Sequence, residues 1–179
     1  MAGLACGIIE RHRIEGGALE PVIIPDHVDR DQIEASARAL HAKGYNCVQA
    51  VSCAFAEIMG VDVDLCFRLG EGQGGGLATH TETCGALLGG AMVLGLARSH
   101  GCADPTSKIA TYEYTKKLVA KFEPLYGTTI CSEIRAQDLV GKNPMKVCKD
   151  AVGEAARMTA DVLEELAADL KKARAAEGK

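Results

Sequence analysis

The chain has 179 residues, 47% of them apolar and 25% charged, which suits one domain able to bury a core without disulfide help. A net charge of −4 and a pI near 5.7 leave no basic footprint for nucleic acid. Aromatics at 4%, with no Trp, leave little surface on which bases could stack.

No stretch approaches the ~18 consecutive apolar residues of a membrane span, and the apolar, glycine-rich run at 85–97 reads as a buried helix. Leu4-Ala5-Cys6-Gly7 resembles a lipoprotein cleavage site, but no basic segment or apolar stretch precedes it. The expected compartment is therefore the cytoplasm, where eight cysteines point to metal binding or thiol chemistry rather than a disulfide framework.

Residues 1–28 read as an irregular arm with Gly16-Gly17, Pro21 and Pro25 around Val22-Ile23-Ile24. A helical domain is expected over 29–170, followed by a charged, frayed tail at 171–179. Asp29 or Asp31 can cap a first helix to about His41, with Ile33, Ala37 and Leu40 on one face and Lys43-Gly44 as its stop. Asn46 can cap a second helix, 47–59, with Cys47 in its first turn. A short helix runs from Asp62 or Asp64 to about Leu69, ahead of the glycine-rich stretch 70–76.

Thr79, Thr81 or Thr83 can cap the apolar helix that follows, from Cys84 to about Arg98. Its Gly85, Gly89, Gly90 and Gly95 each cost about 1 kcal/mol relative to Ala, which suggests close approach by another helix, across a dimer interface for instance. After a turn at 101–105, Asp104 and Pro105 start a long helix patterned by Ile109, Tyr112, Leu118 and Val119, which Pro124 and Gly127 break. Thr128 or Thr129 can cap a short helix holding Cys131, Ile134 and Leu139. Asn143-Pro144 then starts the last helix, which carries Cys148 and the apolar series Val152, Ala155, Ala156, Val162, Leu163, Leu166 and Leu170. About six helices joined by short turns give an all-α, single-domain bundle.

Cys47, Cys84, Cys131 and Cys148 each fall at or near a predicted helix start. Unpaired amides and the dipole there favour thiolate, the form that binds metal or attacks a disulfide. No two of them form C-x-x-C, and C-x-x-C-H is absent, so thioredoxin, zinc-ribbon and c-type haem motifs are missing. Cys53 and Cys66 sit on other helix faces and read as core; Cys102 lies in a turn and Cys6 in the arm.

The stretch 70–76 lacks the Walker Lys-Ser/Thr, and no strand precedes it, so nucleotide binding is not supported. Its bare amides could instead approach thiolates or cluster sulfides, or its small residues could simply permit close packing. His80 and Glu82 stand just before Cys84 and could act as ligand or proton partner; His12, His27, His41 and His100 have no readable partner.

Asn46-Cys47-Val48-Gln49-Ala50, the Gly72–Gly76 loop and Thr83-Cys84-Gly85-Ala86-Leu87-Leu88-Gly89-Gly90 together resemble the redox-active C_GCAxxG_C_C family. Cys84-Gly85-Ala86-Leu87-Leu88-Gly89 matches its Cys-Gly-Ala-x-x-Gly segment, and Cys47, Cys131 and Cys148 take its remaining cysteine positions, over about 30–166. The resemblance extends to the cluster-binding part of split-Soret cytochromes, without their haem motif. It implies a helical homodimer with an iron–sulfur cluster on Cys47, Cys84, Cys131 and Cys148, with Gly74, Gly75, Gly76 and Gly85 against the cofactor and an unidentified redox partner. A thiol–disulfide enzyme using some of these cysteines is the alternative, as is zinc held by all four or by three with His80.

Overall fold

The computed structural model describes residues 22–101, 104–137 and 144–177, and these form seven α-helices without a β-strand. Cys6, Cys102, Leu139 and the turn before Pro144 lie outside the described residues, as does most of the arm. Its described end runs extended over 22–29, where the Ile23 N–H donates to the Met59 carbonyl at 3.0 Å.

Helix α1 spans Arg30–Ala42, with the Asp29 carboxylate accepting from the Asp31 and Gln32 amides. Helix α2, Cys47–Ile58, begins in a full capping box: Asn46 accepts from the Gln49 amide while the Gln49 side chain accepts from the Asn46 amide. The Asn46 side-chain amide also donates to the carbonyls of Gly70 and Glu71, binding the end of α3, Val63–Glu71, to the start of α2. One asparagine thus fixes two helix ends.

Helix α4, Gly85–Arg98, sits centrally, packed by α2, α5 (Lys108–Tyr126) and α7 (Pro144–Glu177). A Cβ on Gly89 would stand 2.7 Å from the Val48 carbonyl oxygen, and one on Gly90 would meet Thr159 and Leu118. The close approach read from Gly85, Gly89 and Gly90 is made within the chain, by α2, α5 and α7, whereas Gly95 has open space at its Cβ. Val51, Phe55, Leu94, Leu118, Phe122, Val152 and Leu163 fill the core around this helix.

Helix α7 is 34 residues long, about 50 Å at 1.5 Å per residue. It continues as helix from Lys171, where fraying was expected, to Glu177. Three arginines join α1 to α7: Arg30 to Asp161 and Glu164, Arg38 to Glu34 and Asp150, and Arg157 to Asp31 and Glu34.

Three further expectations are corrected. Pro124 does not break α5, because it falls in the last turn, where Phe122 and Tyr126 pack ring to ring at 4.9 Å; Gly127 ends the helix at φ +67°. Ile109 and Tyr112 are not core but 66% and 56% exposed, since the buried stripe of α5 runs through Leu118 and Phe122. No threonine caps α4 or α6 (Cys131–Ala136): Cys84 and Ile130 hold the N-cap positions, paired by the main chain described below.

Gly89→Ala should lower stability by about 1–3 kcal/mol through overpacking on α2, whereas Gly95→Ala, with open space at its Cβ, should raise it by up to about 1 kcal/mol. Thermal unfolding of the two variants checks the pair. Arg30, aided by the Val28 amide, lowers the Glu164 carboxyl from 4.5 to about 2. The contribution of this pair is present above pH 4.5 and is lost as pH falls toward 2. Glu164→Gln should cost about 1 kcal/mol at pH 6, a gap that closes toward pH 2 in denaturant titrations.

Candidate redox site

Cys47 is the first residue of α2, Cys84 caps α4, Cys131 opens α6, and Cys148 is the fifth residue of α7. All four line one cavity of about 150 Å³. Two main-chain hydrogen bonds bring two of these starts together: the Cys84 amide donates to the Thr129 carbonyl at 2.7 Å, and the Cys131 amide to the Glu82 carbonyl at 2.9 Å. They flank an antiparallel bridge between Thr83 and Ile130. Glu82 thus serves the site through its backbone, with its carboxylate outside.

The α2 and α4 starts meet because Gly85 has no side chain: a Cβ there would overlap the Cys47 sulfur. Gly74 packs on Asn46, where a Cβ would stand 2.5 Å from the amide carbon, and Gly75 lines the cavity itself. The backbone turns left-handed at Gly75, Gly76, Leu77 and Ala78, and again at His80, so three non-glycine residues carry strain of about 1–3 kcal/mol each. This turn brings the Gly76 backbone against Cys131, where a Cβ would stand 2.7 Å from the cysteine Cβ.

The same turn redirects His80. Rather than sharing a face with Cys84, its Nδ1 lies 3.9 Å from the Cys131 sulfur. The Arg135 guanidinium stands 3.2 and 3.4 Å from the two ring nitrogens. Arg135 and His41 both line the cavity and were not singled out in the sequence. Arg135 had a local signal, being four residues after Cys131 and so on the same helix face. His41 had none, since α1 reaches the cavity through its packing on α7 and α2.

Cys84 and Cys131 are 7% and 6% exposed, while Cys47 and Cys148 are half-buried. Burial pushes the Cys84 thiol up to about 12, against the pull of the Ala86 and Leu87 amides. Burial also raises Cys131, helped by neighbouring Cys47 and Cys148 and opposed by Arg135. The expected lowering at helix starts is therefore outweighed by desolvation at these two thiols. Metal ligation would displace their protons.

Cys53 and Cys66 lie apart, buried together between α2 and α3, as expected of core thiols. Burial raises Cys53 to about 11, and its thiol donates to the Val63 carbonyl at 3.7 Å. Among the described residues, no group of three or more His, Cys, Asp or Glu side chains stands ready to hold a metal ion. No described helix is long and apolar enough to cross a membrane.

The family model described as "Putative redox-active protein (C_GCAxxG_C_C)" matches residues 45–162, a span that contains all four cavity cysteines. No curated protein and no solved structure matches the chain.

Gly85→Ala should displace the Cys47 side chain while leaving α4 helical. Labelling of the metal-free protein with a maleimide, read by peptide mass, should show Cys47 modified several-fold faster, with the helical circular dichroism unchanged.

Proposed function

The chain belongs to the C_GCAxxG_C_C family, and on that premise we propose that Cys47, Cys84, Cys131 and Cys148 jointly hold an iron–sulfur cluster for electron transfer or redox sensing. The observation that carries this reading is their convergence, from four separate helices, on one cavity. Four thiols are the donor set of two- and four-iron clusters, and among the described residues no carboxylate lines the cavity to favour a hard cation. Four thiols could also hold a single zinc ion, an alternative that elemental analysis separates from iron. A cluster spreads its thiolates over several metal atoms.

The group, when bound, supplies one-electron chemistry; the chain shapes its surroundings. Ala86, Ile134 and Ala151 present apolar wall and limit water. The N-terminal ends of α2 and α4 face negative charge on Cys47 and Cys84, which favours the ligated, deprotonated state. Gly75, Gly76 and Gly85 let backbone and cysteines approach, and Gly74 supports them through Asn46.

The thiol–disulfide alternative needs an accessible thiol of low pKa, and burial weighs against Cys84 and Cys131 in that role, leaving the half-buried Cys47 and Cys148. The reading takes the protein as a cytoplasmic homodimer serving an unidentified redox partner protein. Ile109 and Tyr112, left uncovered on α5, support the dimer.

Protein purified or reconstituted without oxygen is expected to be brown and to contain iron and acid-labile sulfide. Cys→Ser at 47, 84, 131 or 148 should each remove most of the iron, while Cys66→Ala should retain it. A colourless, iron-free protein after anaerobic reconstitution overturns the reading.

A further inference from the structure

We propose that Arg135 is the counter-charge that sets the reduction potential of the cysteine site, with His80 as the residue that positions it. The inference rests on the cluster reading above. Arg135 lies one helical turn beyond Cys131 and lines the cavity. Among the described residues it has no carboxylate partner, in contrast to Arg30, Arg38, Arg68 and Arg157. Among the described residues no carboxylate lines the cavity either, so the negative charge of four ligating thiolates is the complement this half-buried cation has there.

The guanidinium is held in place. Its Nη1 lies 3.2 Å from His80 Nδ1 and 3.4 Å from Nε2. The ring in turn rests on Gly75, where a Cβ would stand 3.1 Å from its Cε1. The left-handed turn from Gly75 to Ala78 sets this arrangement, with His80 itself at φ +64°. Backbone strain is thus maintained where the histidine meets both the arginine and a ligand cysteine.

The sign of the effect follows from charge. Reduction of the loaded site adds one electron and one unit of negative charge, with no bond made or broken at Arg135. A fixed positive charge on the cavity wall stabilises the reduced form more than the oxidised form and so raises the potential. His41, which also lines the cavity, lies near Lys149. Burial and Lys149 both lower its pKa and favour its neutral form, leaving Arg135 as the permanent charge on the wall.

The test is an anaerobic redox titration of the reconstituted full chain, followed by optical absorption and electron paramagnetic resonance. Arg135→Gln should change the ratio of reduced to oxidised site about tenfold at fixed potential, a fall of about 59 mV for one electron. Arg135→Lys should recover most of the shift. Lys171→Gln, about 35 Å along α7 from Cys148 at 1.5 Å per residue, should leave the potential unchanged. If Arg135→Gln fails to take up iron, His80→Gln, which frees the guanidinium, is expected to shift the potential in the same direction by less. An unmoved potential in a fully loaded Arg135→Gln protein, or in the loaded His80→Gln protein when that variant is needed, overturns the role of Arg135 and leaves the cluster standing. Failure of the unsubstituted protein to bind iron overturns both.

Discussion

The contact of α4 with α2, backbone against side chain with no Cβ between them, is the constraint on which the rest of the structure depends. Gly89 accepts the Val48 carbonyl and Gly85 accepts the Cys47 sulfur. With the helices this close, the start of α2 and the start of α4 share one wall of the cavity. The bridge from Thr83 to Ile130 then adds α6, and the long α7 adds Cys148 to the lining. Sequence distance between the cysteines ceases to matter, because each arrives on the end of a separate rigid helix.

Helix starts and burial act on the thiols in opposite directions. An amide-rich helix terminus favours thiolate, whereas an apolar cavity favours the neutral thiol. At Cys84 and Cys131 burial is the larger effect. Under the proposed function the two influences become cooperative: metal ligation displaces the protons, and the helix termini and Arg135 then meet the charge that results. The desolvated wall that disfavours bare thiolates limits water around the bound group.

Supporting elements lie outside the family match as well as within it. The matched span begins at residue 45, after α1, yet α1 contributes His41 to the cavity and joins α7 through three arginines. Asn46 does comparable work in a single side chain, capping α2 while holding the carbonyls at the end of α3. That tie fixes where the chain leaves α3, and hence where the left-handed turn can place His80.

Helical periodicity, the caps of α1, α2 and α3 and the separation of Cys47, Cys84, Cys131 and Cys148 from Cys53 and Cys66 were legible in the sequence, because each depends on interactions within a few residues. Asn46 with Gln49 is such a signal, and so is Pro144. The tertiary structure decided what depends on contacts across the chain. It placed Gly85, Gly89 and Gly90 against α2, α5 and α7, left Ile109 and Tyr112 outside, and carried α5 through Pro124. It also decided that His80 faces Cys131 instead of Cys84 and that Arg135 and His41 reach the cavity. A left-handed turn containing Leu77, Ala78 and His80 has no local preference to announce it. Packing against Cys131 and the main chain of Glu82 holds it, and those partners are brought together by the folded bundle.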